Sequence, residues 1–266
     1  MAGMDEARTG GTADVPLLLA DPPPGAPPVL TYLDDARGER TALTADALAD
    51  AAARTAVLLR DDCGVGPGSR CAVLLPPHWR SAAVLLGCWA TGAAVEYRQW
   101  ATAGLAAAAH ADAVFVSPAR LRSWLEEVPP GRHRFVVGPD GPVADVPPGY
   151  WDFAAAIRDR DAAAAPRPTL PAGAAASPDG TTHRQWGELA RELATAGGLR
   201  AGDRVLIDAD DAANEHPVRW LLAPLSVGAT IVLCAGGDAA ALARHAAAEQ
   251  ATHVWPAADA GEGARP

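Results

Sequence analysis

Apolar positions along the chain follow two rhythms. Val29–Leu33 and Arg40–Leu43 are short apolar-rich runs on either side of Asp34-Asp35-Ala36-Arg37-Gly38, a turn-like segment, and together they predict a β-hairpin. Over 45–60 the spacing becomes helical. Leu48, Ala52, Thr55, Leu58 and Leu59 fall on one face, and Thr44 stands where its hydroxyl accepts a free backbone N–H. A Gly-rich turn at 64–70 leads into a strand at Cys71–Leu75, a helix from about His78 to Thr91 that Gly92 stops, and a strand at Ala93–Tyr97. A helix near 102–110, a strand at Ala113–Val116, a helix near 118–127 and a strand at Phe135–Val137 continue the alternation. Strand and helix in turn imply an α/β fold with a parallel sheet and helices on both faces.

Prolines 139, 142, 147, 148, 166, 168, 171 and 178 break this rhythm, so 138–181 reads as a connector with one short helix around Trp151–Arg160. The pattern then returns: a helix at about 183–196, a strand at Val205–Asp208, a helix at about 215–227, a strand at Thr230–Cys234, a helix at about 239–249 and a strand at Thr252–Trp255. The halves echo each other. Gly64-x-x-x-Gly68-x-Arg70 matches Gly198-x-x-x-Gly202-x-Arg204, and Gly92-Ala93-x-Val95 matches Gly228-Ala229-x-Ile231. An internal duplication giving two similar parallel-sheet α/β lobes explains the match. The organisation expected is a flexible lead-in over 1–27, a first lobe with its hairpin over 28–137, the connector over 138–181, a second lobe over 182–256 and a flexible tail over 257–266.

Composition removes several classes of function. The 266 residues carry a net charge of −10, which disfavours nucleic-acid partners. All 22 basic residues are arginines. Without a lysine there is no Schiff base, no phosphate-loop ammonium and no lysine clamp. Cys63, Cys71, Cys88 and Cys234 show no CxxC spacing and read as buried apolar residues in a reducing cytoplasm. The N-terminus shows no basic segment followed by an apolar core, so no secretory leader is read. The apolar runs Ser81–Val95 and Trp220–Gly237 fall short of a bilayer span, so no membrane partner is expected.

Leu30-Thr31-Tyr32, the segment Gly64–Pro76, Gly202-Asp203-Arg204-Val205-Leu206, Leu222–Ala229 and Thr252–Pro256, in this order, resemble the N-terminal domain of the adenylate-forming superfamily. That superfamily includes acyl-CoA synthetases, luciferases and nonribosomal adenylation domains. Leu74-Leu75-Pro76-Pro77-His78-Trp79 and Arg40-x-x-Leu43 resemble a small actinobacterial set of short members. Active members hold ATP in a Ser/Thr/Gly-rich loop ending Pro-Lys-Gly. The matching place here is Ala175–Arg184, where Pro178 removes an N–H, Asp179 adds a negative charge and no lysine follows. The resemblance also implies that the magnesium-holding Thr-Glu pair, the ribose aspartate and the domain with a catalytic lysine would lie beyond residue 266. It therefore implies a binding or regulatory module without ligase catalysis, without a cofactor or a metal, and with a small molecule or a protein as its partner. Two alternatives are a fragment that retains nucleotide or acyl binding and is completed by a partner chain, and an interaction scaffold.

Three sites stand out. Ser177, Gly180, Thr181 and Thr182 could bind an anion at the start of the next helix, although Thr181 or Thr182 equally suits a plain helix cap. His216 falls near the place where a histidine lines the acyl pocket of active relatives. It also ends the acidic run Asp208, Asp210, Asp211, Glu215, whose carboxylates suit a divalent ion or a solvated helix start. His78 follows a strand end, where open α/β sheets bind ligands, and a capping role competes with that reading. Trp79, Trp89, Trp220 and Trp255 read as core or lobe-interface residues.

Overall fold

The computed structural model describes residues 27–100, 109–165 and 173–255. The expected lead-in, tail, and most of the helix near 102–110 lie outside the described residues, as do residues 166–172 of the connector.

The opening hairpin forms from β1 (Leu30–Asp34) and β2 (Glu39–Leu43), joined through Gly38 at φ +65°. Helix α1 (Ala45–Val57) follows and runs on as a π-helical turn over Leu58–Asp62. The Thr44 hydroxyl accepts the Ala47 N–H at 3.2 Å, and Leu48, Ala52, Thr55, Leu58 and Leu59 are all buried. Then come β3 (Arg70–Leu74), α2 (Trp79–Ala90), β4 (Ala94–Tyr97), β5 (Ala111–Val116), α3 (Pro118–Leu121) and β6 (Gly131–Val136).

The helix expected near 118–127 ends after four residues. Trp124 is 90% exposed and Leu125 is 51% exposed, so the segment buries no face that would extend it. The connector is also more structured than its prolines suggest. Trp151–Asp152 pairs with β6 as strand β7, and only then does α4 (Phe153–Arg158) start, capped by Asp152. The Phe153 ring lies against Phe115 and Phe135, which draws the segment into the core.

In the second half α5 (His183–Ala196) precedes β8 (Arg204–Asp208) and α6 (Ala209–Ala212). A π-helical turn over Val218–Leu222, α7 (Ala223–Ser226), β9 (Thr230–Ala235), α8 (Ala239–Ala248) and β10 (His253–Trp255) complete it. The helix expected over 215–227 is thus broken. Pro217 and Pro224 lack the N–H groups that continuous i→i−4 bonding requires.

The strands make two five-stranded sheets, ordered β4-β3-β5-β6-β7 and β10-β8-β9-β1-β2. Every pairing is parallel except β1 with β2. The hairpin therefore does not belong to the lobe of its sequence neighbours. It joins the second sheet through β1 and β9, so a boundary that assigns 28–137 to one lobe divides the second sheet.

Within each sheet the duplicated strands occupy equivalent places: β4-β3-β5 in one, β9-β8-β10 in the other. Arg70 pairs with Ala94 as Arg204 pairs with Thr230. The bonds Ala94 N–H to Ser69 O (2.9 Å) and Thr230 N–H to Asp203 O (2.8 Å) also correspond.

One main core lies between the sheets. Cys71 and Val73 of β3 and Val205 and Ile207 of β8 face it, with Leu48, Leu86, Ala190 and Leu222 from the helical segments between. Ala72 and Leu74 face the opposite way, as do Leu206 and Val232, which α8 covers. All four cysteines are free and buried.

Candidate functional site

The loop at the phosphate-loop position is a closed turn. Ala175 and Thr182 form an antiparallel bridge across it. Inside, the Ser177 N–H donates to Thr181 O (3.2 Å) and the Gly180 N–H to Ser177 O (3.1 Å). The Thr181 N–H donates to the Asp179 carboxylate (3.0 Å) and the Thr182 N–H to Gln185 Oε1 (2.8 Å). The first of these side-chain bonds holds the Asp179 carboxyl below its usual range. Gly180 takes φ +89°, the left-handed region the turn requires. Of the two threonines it is Thr182 that caps α5, in a reciprocal capping box with Gln185. All four residues singled out from the sequence thus have their N–H groups bonded within the chain.

The structure joins this loop to His216. Trp186, one turn into α5, donates its Nε1–H to Ser177 Oγ at 3.0 Å. Its ring stacks on His216 with centroids 4.3 Å apart and planes 12° apart. The Tyr97 ring meets His216 edge-on at 6.2 Å. His216 Nδ1 accepts the Val218 N–H at 3.2 Å, and burial lowers its pKa to about 4. Trp186 and Tyr97 were not legible as site residues, because a tryptophan on an amphipathic helix and a tyrosine on a strand both look like core.

The acidic run next to His216 separates into ordinary roles. Asp208 accepts the N–H groups of Asp210 and Asp211 as the cap of α6, Asp210 accepts from the Gly236 N–H at 2.8 Å, and Glu215 pairs with Arg219 at 3.1 Å. Among the described residues no group of three or more His, Cys, Asp and Glu side chains is placed to hold a metal ion.

His78 belongs to a different place. It caps α2, its Nδ1 accepting the Arg80 N–H at 3.0 Å, and it is 4% exposed. Its ring packs edge-on against Tyr32 at 4.2 Å. Beside it a cavity of about 340 Å³ opens over the C-terminal ends of β3, β5 and β6, with Tyr32 and Arg37 of the hairpin closing one side. A second cavity of about 280 Å³ shares Leu75, Pro76, Ser117 and Ala119 with the first and reaches Asp210 and Ala213 after β8. The Tyr97 hydroxyl donates to Leu75 O at 3.0 Å and so links the aromatic cluster to the cavity wall. A buried pair, Arg120 with Glu126, braces the same region. Its guanidinium donates to the carbonyls of Arg98 and Gln99 and lies over the Trp100 ring. Two parallel sheets thus turn the loops at their C-terminal ends toward one crevice, the usual ligand side of open α/β sheets.

This architecture is that of the N-terminal domain of adenylate-forming enzymes. It aligns with acetoacetyl-CoA synthetase from Streptomyces lividans at a TM-score of 0.66 and 20% identity, over 91% of this chain and 42% of that one. An acyl-CoA synthetase of Brucella canis aligns at 0.64 and 19%, over 91% and 49%. The N-terminal domain of FACL13 from Mycobacterium tuberculosis aligns at 0.60 and 18%, over 85% and 58%. The chain spans about half the length of these structures. The sequence model of the AMP-binding enzyme family matches residues 23–145. A protein of Mycobacterium tuberculosis described as a "TIGR03089 family protein" is 40% identical over 252 residues, 90% of this chain and 94% of its own length. The chain belongs to that family.

Proposed function

We propose that this domain is a small-molecule-binding or regulatory module that does not activate carboxylates on its own. One observation carries the reading: the loop where relatives cradle triphosphate has the N–H groups of Ser177, Gly180, Thr181 and Thr182 engaged internally, and it presents the Asp179 carboxylate instead of a lysine. A phosphate cradle needs several free N–H groups converging on the anion, with positive charge nearby. The residues at this loop do not fit a nucleoside triphosphate. Electrostatic clamps of that kind are worth about 10²–10³ in rate each, so their loss reduces ligation to background.

What the fold retains is the crevice at the sheet ends and its two cavities. The test is ATP–pyrophosphate exchange by the purified chain with a broad carboxylate mixture, alongside melting with ATP and magnesium. The expected result is no exchange above blank and no saturable shift in Tm. Carboxylate-dependent exchange would overturn the reading. A saturable ATP shift without exchange would favour a half-enzyme completed by a partner chain.

A further inference from the structure

We propose that the 340 Å³ cavity between the hairpin and the ends of β3, β5 and β6 is a binding site for a compact organic anion, a carboxylate or a phosphate ester. The inference rests on the domain being a binding module. It concerns a site apart from the remnant phosphate loop.

Four observations bear on it. First, His78 lines the cavity, is buried, and its Nε2 has no hydrogen-bond partner. Because Nδ1 accepts the Arg80 N–H, the proton of the neutral ring sits on Nε2. The Nε2 atom is itself closed off from solvent, so His78 meets the cavity with other atoms of its ring and backbone. Second, two guanidiniums line the same cavity without a carboxylate at ion-pair distance among the described residues. Arg80 donates to Pro139 O at 2.9 Å and lies over Trp79, and Arg122 donates to Pro118 O at 3.1 Å. Each carries a positive charge bonded only to a neutral carbonyl through its Nε. Arg37 differs: it is matched by Asp34 at 3.3 Å and Asp140 at 3.9 Å. Third, the cavity opens at the start of the twelve-residue helix α2, whose terminal N–H groups favour an anion. Fourth, Leu75, Pro76, Pro118, Ala119 and Val137 supply an apolar wall for the body of a ligand. The volume is at the low end for small-molecule pockets, which selects a compact molecule.

The chemistry is therefore an anionic head held by Arg80 and Arg122, with an apolar group against the wall. The experiment measures melting and titration calorimetry of the full chain with two probes, benzoate and phenyl phosphate. It uses wild type, R80Q, R122Q, and R132Q as a control on an exposed position of β6. At least one probe should bind saturably. Each charge removal should weaken binding about ten-fold or more, as losing one charged hydrogen bond does, while R132Q leaves it unchanged. Binding of phenyl phosphate alone identifies a phosphate ester, and of benzoate alone a carboxylate; either supports the site. Arg80 lies in the first turn of α2 and Arg122 at the end of α3, so if one variant fails to fold the other still decides. Absence of saturable binding by both probes overturns the proposal, as does binding indifferent to the surviving substitution. Pyrophosphate exchange bears only on the binding-module reading, so the two can fail separately.

Discussion

Three histidines, His78 and His183 buried and His216 half-buried, should make the fold acid-labile between about pH 7 and pH 5. Burial lowers His78 to about 3, helped by Arg80 and Arg37, and lowers His183 and His216 to about 4. In the unfolded chain each titrates near 6.5. The sign follows directly. Below about pH 6.5 the unfolded state takes up protons that the folded state refuses, so stability is full above that value and falls as the pH drops. Between about pH 7 and pH 5 the folded rings stay neutral, and each costs about 2 kcal/mol, or about 6 kcal/mol for the three together. Domains of this kind hold a total of about 5–15 kcal/mol, so most of the margin should disappear. Glu249 and Asp179, whose carboxyls are held low by hydrogen bonds, lose stability in the same direction, but only once the pH falls toward their unfolded values, whereas Asp208, raised by burial, has the opposite dependence. Urea unfolding at stepped pH measures the slope. His183 isolates one part of it: it is fully buried and neither ring nitrogen has a partner, so H183L removes a titrating group without breaking a hydrogen bond. The slope in H183L should fall by about a third. Stability that is flat from about pH 7 to 5, or a slope unchanged in H183L, would refute the reasoning.

Gly87 lies where α2 crosses α1, and a Cβ there would sit 2.6 Å from Thr55 Cβ and 2.8 Å from Ala52 O. G87A should therefore destabilise by about 1–3 kcal/mol despite the better helix propensity of alanine, as read from urea midpoints; an equal or higher midpoint would show that the crossing yields. Glu249 accepts two bonds from Arg40 and one from Arg204, tying β2 and β8 to the end of α8, so E249Q should cost about 1–2 kcal/mol, more than an exposed pair. Thermal melts compared with E188Q, on an exposed face of α5, would test it. D179G should leave ATP affinity immeasurably weak and stability within about 0.5 kcal/mol, because the position is exposed and the turn keeps its other bonds; a saturable ATP shift in the variant would mean that Asp179 alone had closed the phosphate site.

The repeats were legible because glycine marks backbone that other residues avoid. Gly68 and Gly202 both take φ +85°, and Gly92 and Gly228 take +82° and +75°, so matched glycines in the sequence became matched turns in space. The partner of the hairpin was not legible. Every residue of β1 is buried, so the strand has no alternation to show which face looks inward, and its partner β9 lies some two hundred positions away. The site divides in the same way. Ser177 and His216 stood out singly by residue type, whereas nothing in the sequence marks the Trp186 ring that joins them. Arg80 and Arg122 lie far apart in sequence, one in the first turn of α2 and the other at the end of α3. They face one cavity because β3 and β5 are adjacent parallel strands, and adjacent parallel strands deliver their following loops to the same edge. In such a fold the crevice chemistry is written in residues far apart in sequence, and strand order is the information that brings them together.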